Sequence, residues 1–496
     1  MALLYLFSIL SALLFCYLFL SSRKTKALKL PPGPKGWPLV GNLLQIARSG
    51  KPFVFIVNEL SQKYGPIFTL KMGARTLIVI SSAELAHEAL IQKGQTFANR
   101  PAETPTRAIF SSHKKTVNSA EYGPLWRSLR RNMVQGMLTP AKLRAFRPIR
   151  RKALEKLVER LAAESKSGLV HVLSNCRFTV FRILLCMCFG VEMDENMIEK
   201  VDSVLKKVLI TLEPRIDDFL PILQAIFVKK VAHAKHVRKE QLETLLPLIR
   251  SRKKTIQNAM SAEPAYIDSL FDLDMGQGPP SEDMLVTLCA EFLNGGTDTT
   301  ATAVEWAMAH LVADSKIQTR VRADIDRVSP DHPVNDEDVE KMEYLQAFVK
   351  ETLRKHPPTY FLLTHAVTEK STLGGYDIPE GVNVDFYTPS ISDDPKLWGD
   401  PERFRPERFV DKMDGDDDAD LTGVKGVKMM PFGVGRRICP GLGLGMLHIS
   451  LMVATMVQQF EWLPNPAVPR VDMSEKFEFT VLMKTPLLAI AQPRKN

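Results

Sequence analysis

The stretch PFGVGRRICPG, Pro431 to Gly441, sets one cysteine among glycines, two arginines and a proline, just ahead of the apolar run LGLGMLHISLMVATMVQQF. That run is of helix length, so Cys439 falls at or just before a helix N-terminus. There the dipole and the free N–H groups favour a thiolate, which acts either as a nucleophile or as a metal ligand. A nucleophile needs a base, and the sequence offers no obvious histidine partner, which leaves only a distant one. Zinc would need three more Cys or His ligands at suitable spacing, and none are near. A metal held by one cysteine and a macrocycle, as in thiolate-ligated haem, suits the loop better. Its glycines let the backbone pass close to a flat ring, and Arg437 can offer a fork of donors to an anionic propionate. GLGLG hints at a dinucleotide loop, but the last glycine of that motif is Met446 here and no strand precedes it.

A long helix is expected from Glu282 to His310. Leu285, Leu288, Phe292, Gly296, Thr299, Ala303, Ala307 and Leu311 follow one another at steps of three or four. Read locally, GGTDTT (Gly295 to Thr300) is a turn or an N-cap, yet the apolar phase continues on both sides. Two mid-helix glycines cost about 1 kcal/mol each relative to alanine, which marks a bulge or groove where something lies against the backbone. A second helix is expected from Asp336 to Lys355, stopping at Pro357 and Pro358. PIFTLKMG and RTLIVISS read as a hairpin or small sheet.

The first twenty residues carry no charge and, as a helix, span about 30 Å, the thickness of a bilayer's hydrocarbon core. Arg23, Lys24, Lys26 and Lys29 follow, placing the rest of the chain on the cytosolic side. The marks of a cleaved signal peptide are missing. LPPGPKGWPLVGN (Leu30 to Asn42) is a Pro/Gly stop that reads as a stiff spacer. The chain thus divides into an anchor over 1–22, a basic and proline-rich linker over 23–42, and a folded body over 43–496. A net charge of +9 admits nucleic acid, an anionic membrane or an acidic partner. No zinc-finger spacing, RNP motif or basic-plus-heptad helix occurs, so no nucleic acid is expected. The six cysteines are scattered, mostly among apolar neighbours, as reduced thiols are. DKMDGDDDAD (Asp411 to Asp420) reads as a solvated acidic loop.

The pattern Phe432-x-x-Gly435-x-Arg437-x-Cys439-x-Gly441 resembles the haem-binding loop of the cytochrome P-450 monooxygenases. Trp126-x-x-x-Arg130, GGTDTT, Glu351-x-x-Arg354 and PERF (Pro406 to Phe409) precede it in that family's order. RKHPPTYFLLTHAV and EFLNGGTDTT look most like plant A-type members, in particular the in-chain fatty-acid hydroxylases and epoxidases linked to cutin synthesis. The resemblance implies a mainly α fold, a large helical haem domain with a small β-rich subdomain, behind one N-terminal transmembrane helix. It implies haem b (iron protoporphyrin IX) with Cys439 on the iron and Phe432, Gly435 and Gly441 shaping the loop. Arg437, Trp126, Arg130 and His365 would meet the propionates, His365 standing where many relatives have Arg. Asp298 and Thr299 match the acid and alcohol that deliver protons on the oxygen side. Glu351 and Arg354 would form a buried structural network with Arg408, taken from the later of two PERF copies because it sits closer to the cysteine loop.

By the same resemblance, one atom of O2 enters a C–H or C=C bond of a hydrophobic substrate. The chain has no flavin or nicotinamide motif, so NADPH electrons arrive through a separate flavoprotein, the NADPH-cytochrome reductase of the endoplasmic reticulum membrane. Arg127, Arg131 and Lys142 are candidates for its docking face. Phe110, Phe292, Phe361, Leu362, Phe479 and Val481 are expected to line a greasy pocket, although each would suit core packing equally. No Arg or Lys stands out as a carboxylate clamp. Fatty-acid hydroxylation or epoxidation leads, with a terpenoid or phenolic substrate as the alternative. A haem-thiolate hydroperoxide isomerase or dehydratase is the further rival; its relatives alter the threonine region and the cysteine loop.

Overall fold

Apolar residues at helical steps fold most of the chain into helices packed about one long central helix. The computed structural model describes residues 11–12, 28–213, 218–220, 228–258, 264–276, 278–410, 420–468 and 470–494. The expected anchor over 1–22 lies outside these residues save for 11–12, as does the acidic run before Asp420. The principal elements begin with α1 (Phe53–Tyr64), β1 (Ile67–Met72), β2 (Arg75–Ile80), α2 (Pro105–Phe110), α3 (Pro124–Met133) and α4 (Arg147–Ser165). Next come α5 (Val172–Phe189), α6 (Glu195–Thr211), α7 (Val228–Gln257), α8 (Tyr266–Phe271), α9 (Glu282–Ala313) and α10 (Ser315–Val328). Then follow α11 (Asp336–Val339), α12 (Glu343–Lys355), β3 (His365–Ala366), β4 (Asn383–Phe386), α13 (Leu442–Gln459), β5 (Glu475–Phe477) and β6 (Val481–Met483).

The central helix is α9. The Ser281 hydroxyl accepts from the Met284 N–H at 3.2 Å, and Glu282 and Asp283 sit in the first turn where the dipole favours them. The helix runs unbroken through Gly295 and Gly296, so the expected bulge is absent and the groove comes from missing side chains alone. The two glycines serve different ends. A Cβ on Gly296 would stand 2.9 Å from Leu184 of α5, so this glycine admits the neighbouring helix. A Cβ on Gly295 would meet nothing within 4 Å, and the residue is exposed although α9 is otherwise mostly buried. Leu184, Leu288, Trp306, Leu353 and Met452 share one apolar core built around this helix. α5 and α13 are long and apolar enough to cross a membrane, but 72% and 61% of their apolar windows are buried inside the fold, as suits core helices.

Two expectations are corrected. The stretch from Asp336 to Lys355 is two helices, α11 and α12, not one. Asp324 of α10 accepts from the N–H groups of Tyr344 (2.9 Å) and Leu345 (3.2 Å), so a carboxylate from a neighbouring helix starts α12 afresh. The Pro/Gly stretch, expected as a stiff spacer, is instead bonded to the body where it is described. Thr69 donates its N–H to the Pro32 carbonyl (2.7 Å) and its hydroxyl to the Pro31 carbonyl (3.0 Å), so the stretch lies along the open edge of β1.

The hairpin forms as expected, with Ile67 opposite Ile80 and Met72 opposite Arg75. β2 then pairs in parallel with β4, and β4 in antiparallel with β3, giving the order β1-β2-β4-β3. This small sheet sets His365 opposite Val384.

Candidate active site

The cysteine loop is closed by a hydrogen bond from the Cys439 N–H to the Phe432 carbonyl at 2.8 Å. Gly433 and Gly435 have φ of 66° and 75°, the left-handed region that favours glycine. A Cβ on Gly435 would also stand 2.1 Å from the Leu90 carbonyl oxygen, and one on Gly441 3.8 Å from the Cys439 sulfur. α13 begins three residues after Cys439, as expected. Burial nevertheless pushes the Cys439 thiol up, against the opposing pull of the Gly441 N–H and the Arg130 guanidinium. The helix end does not make a thiolate unaided; a coordinated metal cation would displace the proton.

Around the loop stands a set of cations. Arg437 donates from Nε to the Ala98 carbonyl (2.7 Å) and from its two Nη atoms to those of Val117 (3.1 Å) and Ala120 (2.6 Å). It lies 4.7 Å from the Trp126 ring centre, and burial, with Arg100 and Arg130 nearby, brings its pKa down to about 9. Three of its five N–H groups are thus taken by backbone and two remain. Trp126 has one donor and commits it to the Val117 carbonyl at 3.2 Å, so in this structure Trp126 is part of the frame and not a free propionate contact.

Arg130, one turn further along α3, has no hydrogen bond or ion pair among the described residues. His365 is buried with both ring nitrogens lacking a well-formed hydrogen bond. Burial, then Arg100 and Arg437, hold it well below the usual imidazole range, so it is neutral. Orphaned buried polar atoms such as those of His365 cost about 1–3 kcal/mol each, a cost that an anionic group beside the ring would relieve. The residues present therefore fit a haem: a thiol at a glycine-lined loop, an unpaired guanidinium, an orphaned imidazole and a bare helix face at Gly295.

Sequence reasoning missed Arg100. It is buried, donates from Nε to the Asn118 carbonyl (2.7 Å) and from Nη1 to those of Leu363 (2.6 Å) and Thr364 (3.0 Å), and has a pKa lowered to about 10 by burial. The only signal was a lone cation inside TFANRPA.

On α9 the Thr299 hydroxyl donates to the Gly295 carbonyl at 3.0 Å and lies on the open face. Asp298 is turned toward α5, where Arg177 holds it at 2.5 Å and also holds Asp202 of α6 at 2.5 Å. The acid and the alcohol adjoin in sequence but not in bonding.

The expected pocket residues divide. Phe479 is 52% exposed at the β5–β6 turn, which the Thr480 and Thr302 hydroxyls tie to α9 at 3.2 Å. Phe110 is nearly buried in a small cluster with Val208 and Val237. Phe292 packs 5.2 Å from Tyr266 in the core, Phe361 5.7 Å from Phe53 and 5.4 Å from Tyr387, and Leu362 against the sheet cluster. Val481 is buried, and its carbonyl accepts from Trp306 Nε1 at 2.8 Å. Phe292, Phe361 and Val481 thus each make packing contacts here. Leu363, which sequence reasoning missed, is 52% exposed in the segment leading to His365.

The Glu351 network is assembled. Arg354 grips its carboxylate at 2.7 and 2.9 Å, Arg408 adds a bond at 3.1 Å, and all three side chains are 0% exposed. Arg408 belongs to the later PERF. On α3, Arg127 and Arg131 are exposed, while Lys142, just beyond that helix, is half-buried.

Comparison with known proteins agrees with this geometry. A family model described as Cytochrome P450 matches residues 31–490. "Cytochrome P450 89A9" of Arabidopsis thaliana is 34% identical, over 94% of each chain. The isoflavone 2'-hydroxylase of Medicago truncatula is 31% identical, over 96% of this chain and 94% of its own. The drimenol monooxygenase of Persicaria hydropiper is 31% identical, over 95% of this chain and 94% of its own. A zebra fish cytochrome P450 solved with Abiraterone superposes with a TM-score of 0.73 at 24% identity, over 90% of this chain and all of that one, and shows the fold. The chain belongs to the cytochrome P-450 family. It is accordingly a monooxygenase that uses haem, O2 and NADPH-derived electrons passed on by a reductase.

Proposed function

We propose that this monooxygenase inserts oxygen into a neutral, ring-bearing hydrophobic metabolite, a terpenoid or phenolic, while tethered to the endoplasmic reticulum membrane by residues 1–22. One observation carries the substrate class. Arg100 and Arg437 are committed largely to backbone carbonyls, and Arg130 and His365 match propionates, which leaves no cation of this cluster for a substrate carboxylate. Relatives of this length named for an isoflavone and for drimenol point the same way. In-chain oxidation of a fatty acid, the cutin-type reaction, ranks second; the resemblance of RKHPPTYFLLTHAV and EFLNGGTDTT supports it. An isomerase or dehydratase role ranks last, because Thr299 and an insertion-free cysteine loop are both present.

When bound, haem supplies the oxygen-activating redox chemistry. Cys439 would hold its iron and Arg130, His365 and the two spare N–H groups of Arg437 its propionates. The Thr299 hydroxyl, bonded to Gly295 on the open face, is placed to hold a proton. Asp298 would feed that proton on leaving Arg177. Phe479 and Leu363, both half-exposed, would give the pocket apolar walls. Arg127, Arg131 and Lys142 would receive the acidic face of the reductase in the cytosol.

The test is reconstitution of the enzyme with reductase, NADPH and panels of terpenoids, flavonoids and labelled long-chain fatty acids, with products identified by mass spectrometry. Turnover confined to the fatty acids would refute the substrate class. In the same assay Thr299→Ala should release several-fold more peroxide per NADPH consumed; unchanged coupling would remove the hydroxyl from proton delivery.

A further inference from the structure

Between the open face of α9 and the cysteine loop runs the short turn 116–120, and its backbone is spoken for on both sides. Its carbonyls hold three of the groups around the loop. Val117 accepts from Trp126 Nε1 (3.2 Å) and Arg437 (3.1 Å), Asn118 from Arg100 (2.7 Å), and Ala120 from Arg437 (2.6 Å). Its amides point the other way, into one carboxylate. Glu291 of α9 accepts from the Val117 N–H at 2.9 Å and from the Asn118 N–H at 2.6 Å.

Glu291 lies four and eight residues before Gly295 and Thr299, on the same helical face. The preceding members of that stripe also grip the loop. The hydroxyls of Thr287 and Ser112 are 2.8 Å apart, and the Ser112 hydroxyl donates to Asp283 at 3.3 Å. What they grip is strained: Ser112, His113 and Lys114 have φ of 49°, 58° and 61°. Three successive non-glycine residues in the left-handed region cost about 1–2 kcal/mol each and persist only where surrounding contacts over-determine them. The loop has local bonds of its own, as from the Lys115 N–H to the Ser111 carbonyl (2.9 Å) and the Ala120 N–H to the Thr116 carbonyl (2.9 Å), and the polar stripe on α9 adds the contacts that tie it to the helix.

We propose that Glu291 is a positioning residue for the cofactor cradle, fixing the 116–120 turn so that its carbonyls orient Trp126, Arg437 and Arg100. The proposal rests on reading that cradle as the propionate side of the haem site. Neither the shorter asparagine nor an apolar side chain could replace Glu291 without loss, because each of the two adjacent N–H donors meets its own carboxylate oxygen at this reach. Burial raises its pKa to about 6, against the Asn118 and Val117 N–H groups, the Thr116 hydroxyl and Arg100, so the carboxylate is ionised at neutral pH and its two bonds are charge-assisted.

The experiment uses the full-length holoenzyme with Glu291→Gln and Glu291→Ala. Glu291→Ala should transfer haem to excess apomyoglobin about tenfold faster than the parent, with Glu291→Gln between them. Hydrogen exchange of the peptide spanning 116–120 should quicken by a similar factor in both, while far-UV thermal melts of the glutamine variant stay near the parent's. Where the alanine variant fails to fold, the glutamine variant decides. Haem transfer within twofold of the parent, together with unchanged exchange at 116–120 in Glu291→Gln, would overturn the proposal. A parent enzyme without haem would overturn the cradle reading as well.

Discussion

Two arginine clusters among the described residues, around Glu351 and around the cysteine loop, are filled in opposite ways. Around Glu351, Arg354 and Arg408 bond through Nε and both Nη atoms to the carboxylate and to the carbonyls of Ser392, Pro401 and Gly399, with no side-chain exposure. Around the cysteine loop, Arg130 has no side-chain hydrogen bond or ion pair among the described residues, and the two ring nitrogens of His365 lack a well-formed one. The first cluster is complete within the protein and can serve only the fold. The second is a socket, since its cost is recovered only when something else enters. Burial and arginine content do not separate a structural network from a binding site; satisfaction of the donors does.

The comparison can be broken from either side. Arg354→Ala should have the largest effect, leaving the buried Glu351 carboxylate only Arg408 and the Arg405 N–H at a cost of up to about 3–5 kcal/mol, read as a large drop in the urea midpoint. A folded variant that melts close to the parent would show that the first cluster is not closed. Cys439→Ala should leave the fold but abolish the red-shifted Soret band of the ferrous–CO complex. Retention of that band would move the ligand elsewhere and dissolve the socket. His365→Ala should act least: haem transfer to apomyoglobin rises about threefold to tenfold, while the apoprotein melts close to the parent, because the ring makes no well-formed hydrogen bond that would be lost. An equal loss of apoprotein stability would class His365 with the first cluster.

The Glu351 cluster was legible through the family resemblance, which joins the PERF arginine to Glu351 and Arg354; the spacing of three alone says only that these two share a helix face. The cysteine loop was legible because glycine at positive φ leaves a mark that no other residue can. Arg100 was not, since its three bonds run to carbonyls at 118, 363 and 364. Nor was the break between α11 and α12, which the Asp324 carboxylate of another helix imposes. The fates of Asp298, Phe292 and Phe361 were also hidden, because period tells which face a residue occupies and not what packs against it.

What the amino-acid order determined for itself is therefore local: the hairpin, the continuous phase of α9 across two glycines, and a thiol set at a helix start. These follow from sterics and periodicity acting over a few residues. The tertiary structure decided which donors are used up and which stay open, as when Arg437 meets a carbonyl 339 residues away at Ala98. A hydrogen-bonding group takes whatever acceptor the fold brings within about 3 Å, and no neighbour in the chain announces which one that will be.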